Sequence, residues 1–147
     1  MPTTPTPELS LTRMRMLRAD RGALLGYALM LAYASLNPFV GWRWPEAFML
    51  LTWPKYLSAF DTLLNVAAYI PFGAMLASLL RDRAQHGLSR IMSDAQIWIA
   101  AVTIGAATSC AFELLQAFLP ARVSSSVDLL ANTFGAAVGA ALVLAAP

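Results

Sequence analysis

The segment FELLQAFLPARVSSSVDLLAN, residues 112–132, joins the end of one long apolar run to the start of another through a short polar turn. It brings together Glu113, Gln116, Arg122, Asp128 and Asn132 in a chain that otherwise contains few charged residues. An ionisable side chain within an apolar helix is costly, and it is usually paired or functional. The segment therefore predicts two consecutive helices with a polar site at their junction.

The composition of the whole chain places these apolar runs in a membrane. Of its 147 residues, 59% are hydrophobic and only 12% are charged, whereas a soluble domain carries roughly 25% charged residues. The mean hydropathy is +0.61. A single cysteine, Cys110, excludes an intrachain disulfide, and no basic patch with interleaved aromatic residues indicates a nucleic-acid partner. We expect one integral membrane domain whose partner is the lipid bilayer.

The hydropathy pattern predicts an all-α bundle of four transmembrane helices, formed by residues 22–147 after a disordered, basic, cytoplasmic tail over 1–21. In chain order the helices cover the apolar run from Gly22 to near Asn37-Pro38, then 61–80, a capping box at Ser93 to about Leu119, and Ser126 or Val127 to the C-terminus. The first run is longer than the 7–15 residues typical of a signal-peptide core, so an uncleaved span is favoured over a secretory signal. The tryptophans and tyrosine of residues 41–60 predict an interfacial segment between the first two helices.

Two helices carry residues that predict special geometry. Pro71 lies in the middle of the second helix, where a missing backbone hydrogen bond predicts a kink. Gly135 and Gly139 are spaced one turn apart in the fourth helix, so they predict a face that packs closely against a neighbour.

Lysine and arginine residues favour the cytoplasmic side of a membrane. Four arginines precede the first helix and three lie in residues 81–96, against two basic residues in 41–60 and Arg122 alone in the turn at 120–126. This distribution predicts four spans with both termini in the cytoplasm. The 41–60 segment and the 120–126 turn then share the outer side.

Three predicted helix ends meet on that outer side, and each carries one carboxylate and one carboxamide. The spacings of three or four residues place both members of a pair on one helix face, and Arg122 lies in the adjoining turn. We therefore predict a shared pocket that faces the outside. Its members are Asp61, Asn65, Glu113, Gln116, Arg122, Asp128 and Asn132.

Most of these residues also have a purely structural interpretation. Asp61 and Asp128 each follow a serine by three residues, which is typical of a helix N-terminus. The asparagines could bridge helices, and Arg122 could pair with a lipid phosphate. Glu113 fits a structural interpretation least well, because it lies about 10 Å before the helix-ending Pro120 at 1.5 Å per residue. A cluster of three acids and one arginine would favour protonation of one carboxyl group or recruit a cation.

No Cys or His group has metal-ligand spacing, and no nucleotide-binding or hydrolase motif occurs, so we predict no metal and no cofactor. The segments DTLLNVAAYIPFG (61–73), FELLQAFLPAR (112–122) and VDLLANTFGAAVG (127–139), with YASLNPF (33–39), together resemble the VanZ-like family of small bacterial multi-pass membrane proteins. The resemblance covers about residues 25–145 and implies a protein of the bacterial inner membrane. One difference is the run of serines at 124–126, where family members often have an acid; this makes a bound metal ion less expected.

The resemblance implies a role like that of the family's namesake, which is linked to teicoplanin resistance. We therefore expect the pocket to bind a lipid-linked or amphiphilic envelope ligand. In this hypothesis Arg122 contacts a phosphate or carboxylate, the amides orient the ligand, and the acids transfer protons or hold a cation. The alternatives are a small proton-coupled transporter or flippase subunit working as a homo-oligomer, acid–base enzymology on a lipid headgroup, and a polar network that only locks the helices together. Enzymology is less favoured, because no nucleophile with an adjacent base is visible.

Overall fold

The computed structural model describes the backbone of residues 7–45, 58–86 and 92–146 and the side chains of residues 20–45, 58–84 and 92–146. The described chain is all-helical, as predicted. Four helices follow one another: α1 (Pro7–Leu36), α2 (Ala59–His86), α3 (Asp94–Gln116) and α4 (Ser126–Ala145).

Helix α1 begins earlier than the sequence indicated. Residues 1–21 were expected to be a disordered tail, but the helix begins at Pro7. A proline suits the first helical position because its missing N–H needs no partner there. The leucines, methionines and arginines that follow are good helix formers, so the basic segment extends the helix. The end of α1 at Leu36 agrees with the expected end near Asn37-Pro38.

Helices α2 and α3 also differ from the prediction at their C-terminal ends. Helix α2 continues to His86, through residues 81–86 that were expected to be a loop, and Pro71 lies inside it. The Ser93 capping box at the start of α3 is confirmed, with Gln96 N–H on the Ser93 side chain at 3.3 Å. Helix α3 ends at Gln116 rather than near Leu119, because the Leu119 N–H bonds to Gln116 O at 2.9 Å in a tighter turn.

The most extensive packing joins α2 to α4, and it depends on small residues. A Cβ atom added at Gly135 would overlap Val66 O, and one added at Gly139 would overlap Ile70 O. Gly73 of α2 meets the Ala136 backbone in the same way. The two backbones therefore approach more closely than any larger residue would permit.

An apolar core fills the end of the bundle that lies away from the α3–α4 turn. It includes Phe72, Leu76, Ile97, Ala101 and Ala140, each less than 9% exposed. At that end Arg81 donates Nη1 to the carbonyl oxygen of Val143 at 3.1 Å, near the C-terminal end of α4. A cation at this position complements the partial negative charge of a helix C-terminus.

Three helices are long and apolar enough to cross a membrane: Ala59–Ala84, Asp94–Gln116 and Ser126–Ala145. Their outward faces carry large apolar side chains, among them Leu63, Ile99 and Phe134. The apolar part of α1, residues 22–36, extends about 22 Å at 1.5 Å per residue, less than the roughly 30 Å of a hydrocarbon core. Three of the four predicted spans are thus supported by length and composition, and the crossing of α1 stays a prediction.

Candidate functional site

A cavity of about 290 Å³ lies at the end of the bundle where α1 and α3 end and α4 begins. Two exposed residues, Ala121 and Val123, form part of its wall, so it opens to the surroundings of the bundle. Most of the residues predicted to form a pocket line this cavity. They are Asn65, Glu113, Gln116, Arg122, Asp128 and Asn132.

Asp61 is the exception, and the prediction that it shares the pocket needs correction. Its side chain is exposed and does not contribute to the cavity wall. Its backbone N–H bonds to the Ser58 side chain at 3.2 Å, as expected at a helix N-terminus. The cavity therefore contains two acids, Glu113 and Asp128, rather than three.

Glu113 joins α3 to the start of α4. Its side chain is 3% exposed, and its Oε2 accepts the backbone N–H of Ser125 at 2.7 Å. The Ser124 hydroxyl also lies within hydrogen-bonding reach of this carboxylate. Ser125 is the N-cap of α4, so the acid satisfies a backbone donor that the helix itself cannot satisfy. Glu113 thus supplies a capping contact from a different helix.

Asp128 lies in the first turn of α4, where a negative charge complements the helix dipole. Its backbone N–H bonds to the Ser125 hydroxyl at 3.4 Å, and its side chain lines the cavity. The Asn65 amide of α2 lies within hydrogen-bonding reach of that carboxylate. An amide of α2 therefore contacts an acid of α4 at this end of the bundle.

Two buried polar atoms in the cavity wall have no hydrogen-bond partner among the described residues. Asn132 donates its Nδ2 to Ser109 Oγ at 2.9 Å, but its Oδ1 accepts no bond. The Tyr69 hydroxyl makes no hydrogen bond of normal geometry, although the Ser109 side chain lies near it. Asn132 and Tyr69 are 7% and 3% exposed. Unsatisfied buried polar groups are uncommon in folded proteins.

Tyr69 and Ser109 were not predicted as site residues, although the sequence contained a usable signal. Tyr69 follows Asn65 by four residues, and Ser109 precedes Glu113 by four. Each is therefore on the same helix face as a predicted site residue. Extending the faces by one turn toward the membrane centre would have identified both.

Gln116 and Arg122 bind the C-terminal end of α1. Gln116 donates Nε2 to Ser35 O at 3.1 Å. Arg122 donates Nε to Asn37 O and Nη2 to Ala34 O, each at 2.8 Å. These bonds satisfy carbonyl groups that a helix end leaves without partners. Within the described ranges no carboxylate forms an ion pair with Arg122, so its main contacts are these carbonyl groups.

Replacing Arg122 by lysine is expected to lower the free energy of unfolding by about 1–2 kcal/mol, because an ammonium group cannot hold two separate carbonyls in a fixed fork. The check is thermal unfolding of the purified variants in one detergent. Arg43→Lys is the matched control, since the Arg43 side chain is exposed and only its backbone N–H, bonded to Phe118 O at 3.0 Å, holds the α3–α4 turn. Equal midpoints for the two variants would show that the carbonyl contacts contribute nothing.

The chain after α1 runs beside the α3–α4 turn. The Trp44 ring packs edge-on against Phe118 with centroids 5.4 Å apart, and Trp42 donates its indole N–H to Phe39 O at 2.9 Å. Both tryptophans remain largely exposed. Such rings suit the membrane interface. The predicted interfacial segment, 41–60, lies mostly outside the described residues, since 46–57 are not among them.

The cavity can bind a ligand by charge and hydrogen bonding, but its chemistry as a catalyst is limited. It offers two carboxylates, one tethered guanidinium, three amides and a phenol. Among the described residues no three Asp, Glu, His or Cys side chains come together as metal ligands. The lining contains one serine, Ser35, and no cysteine or lysine. The neighbour of Ser35 in the wall is Ala34, which cannot act as a base to activate it.

Comparison with known proteins gives one finding. The model of the VanZ/LLP1 family matches residues 23–146, nearly the whole chain, and the matched range contains every residue of the cavity wall. Neither the curated proteins nor the solved structures give a match. The resemblance inferred from the motifs is thereby confirmed, and the three apolar helices indicate a multi-pass membrane protein. The chain belongs to the VanZ/LLP1 family.

Proposed function

We propose that this protein is a VanZ-like component of the bacterial inner membrane whose cavity faces the outside and binds a lipid-linked or amphiphilic envelope ligand. In this proposal α1 is the fourth span and both termini are cytoplasmic. The support comes from family membership, the three apolar helices and the polar cavity at one end of the bundle.

The orientation rests on the distribution of arginine residues. The arginines at 13–21 lie in the first half of α1, and Arg81 and Arg83 lie near the end of α2. Both groups lie at the opposite end of the bundle from the cavity. Because basic residues favour the cytoplasmic side, the cavity end faces outward.

One observation carries the proposal: the cavity wall contains the buried, unpartnered Tyr69 hydroxyl and Asn132 Oδ1 beside two carboxylates. A polar network that only locks helices together would satisfy its own members. Part of the network does act in this way, since Glu113 caps α4 and Arg122 caps α1. The Tyr69 hydroxyl and Asn132 Oδ1 have no such structural bond, and they are the atoms that support a ligand site.

Transport through a single copy has less support. Beyond the cavity, the described bundle interior is apolar, with Phe72, Ala77 and Ala136 at its centre. Thr108 donates its hydroxyl back to Ile104 O of its own helix at 2.8 Å. A transporter would therefore need a path between copies in a homo-oligomer, which the proposed binding role does not require.

Asp128→Asn is expected to abolish protection against teicoplanin in a sensitised host, down to the level of the host without the protein. The substitution keeps the side-chain shape and the backbone bond to Ser125 but removes one of two negative charges in the cavity. The measurement is the minimal inhibitory concentration, with the amount of membrane-inserted protein determined in parallel.

Asp61→Asn is the matched control, because it removes an exposed carboxylate that lies outside the cavity wall. It should leave protection unchanged. Full protection by Asp128→Asn at normal protein levels would contradict the proposal.

A further inference from the structure

We propose that the cavity binds a primary ammonium group at the head of an amphiphile. This inference rests on the proposed function and specifies its ligand class. Four features of the cavity carry it: the charge of its wall, the orphaned acceptors, the space available and the apolar rim.

The charge of the wall favours a cation. Glu113 and Asp128 supply two carboxylates. The one cation in the wall, Arg122, directs Nε and Nη2 at the α1 carbonyls and forms no ion pair within the described part of the chain. A phosphate or carboxylate ligand would face two like charges, and the guanidinium would have to release α1 to bind it. An ammonium group instead supplies the missing positive charge.

The unpartnered atoms favour a ligand that donates hydrogen bonds. Asn132 Oδ1 can only accept, and the Tyr69 oxygen can accept as well as donate. An ammonium group has three N–H donors and no acceptor. An ammonium group therefore supplies the donors that these oxygens lack, in a cavity that also contains the Asp128 carboxylate.

The size of the site argues against a bare metal ion. The volume of about 290 Å³ is many times the roughly 10–15 Å³ that is enough to hold a single water molecule. Oε2 of Glu113 is already bonded to the Ser125 N–H. No group of three metal-ligating side chains forms among the residues that the structure describes. An organic head group fills this space better than an ion.

The rim of the cavity suits an amphiphile. Val123 lines the cavity and is 74% exposed, and the neighbouring turn is bordered by the exposed Trp44 ring. An alkyl chain can lie along such a rim in the lipid while its charged end reaches a polar site, as lysine side chains do at membrane surfaces.

The test uses the purified full chain in neutral maltoside micelles and three probes with the same alkyl chain: dodecylammonium, dodecyltrimethylammonium and dodecyl phosphate. The readout is the ligand-dependent rise in the thermal unfolding midpoint. We expect saturable stabilisation by dodecylammonium alone, because the trimethyl group has no N–H donor and the phosphate has the wrong charge.

Tyr69→Phe is expected to weaken dodecylammonium binding about tenfold, which corresponds to the loss of one hydrogen bond to a charged group. The unliganded variant should unfold near the original midpoint, because the lost hydroxyl makes no hydrogen bond of normal geometry and Ser109 keeps its bond to Asn132. Tyr33→Phe is the matched control, since Tyr33 is 61% exposed and lies outside the cavity wall.

The outcomes separate the ammonium inference from the proposed function. Binding of dodecyl phosphate that depends on Tyr69, without binding of the amine, would overturn the ammonium inference and leave ligand binding intact. Absence of any Tyr69-dependent binding would overturn both. Nanodiscs with and without phosphatidylethanolamine distinguish the sources: stabilisation by that lipid alone identifies a lipid headgroup, and stabilisation only on adding the soluble amine identifies a diffusing amphiphile.

Discussion

Replacing Gly139 by alanine is expected to destabilise the protein by about 3 kcal/mol or more, and to reduce the yield of folded protein, because the new Cβ would overlap Ile70 O and lie 2.9 Å from Ala74 N. Both atoms belong to the backbone of α2, so no side-chain rotation can relieve the overlap. The measurement is the thermal unfolding midpoint in detergent, together with the fraction of monodisperse protein after purification.

Gly26→Ala is the control, because the same substitution is expected to have the opposite effect on stability there. A Cβ atom at Gly26 of α1 would meet nothing within 4 Å. Alanine is favoured over glycine in a helix by about 1 kcal/mol, so this variant should be neutral or more stable. The same chemical change is therefore expected to act in opposite directions at two helical glycines. Equal effects would show that the α2–α4 contact does not require glycine.

Glu113 is the second position with a large expected effect, and two substitutions separate its roles. Glu113→Ala leaves the Ser125 N–H without its acceptor and should lower the free energy of unfolding by about 1–3 kcal/mol. Glu113→Gln keeps an acceptor oxygen while removing the charge. We expect it to unfold near the original midpoint but to lose protection against teicoplanin.

The unfolding midpoint is measured on each purified variant, and the minimal inhibitory concentration is measured on cells that express the same variant. Leu114→Ala serves as the control on α3, since Leu114 is the exposed neighbour of Glu113. If Glu113→Gln protected fully, the carboxylate would act only as a cap for α4. If Glu113→Gln unfolded as easily as Glu113→Ala, the charge itself would be needed for folding.

The sequence predicted those helix boundaries that depend on local signals. The Ser93 capping box and the start of α4 at Ser126 follow from side chains that bond to their own helix. The early start of α1 and the late end of α2 were missed because arginines were interpreted as loop residues. Arg81 in fact reaches Val143 O of a neighbouring helix, a partner that local sequence cannot reveal.

The cavity was predictable in outline because residues three and four apart share a helix face. Asn65, Glu113, Asp128 and Asn132 therefore come together as expected from their spacing and from antiparallel packing. The partners of Glu113 and Arg122 were not predictable, since both bind backbone atoms across the turn or on α1. Asp61 was misplaced because a cap and a pocket acid have the same spacing from a preceding serine.

The glycine contacts between α2 and α4 also constrain how the chain assembles during synthesis. Helix α4 is the last of the described helices in chain order, so the surface of α2 around Val66 and Ile70 gains this partner only after α4 has been synthesised. A chain interrupted within α4 would leave that surface of α2 uncovered. The closest helix contact in the bundle is therefore completed at the end of synthesis, and not helix by helix as the chain emerges.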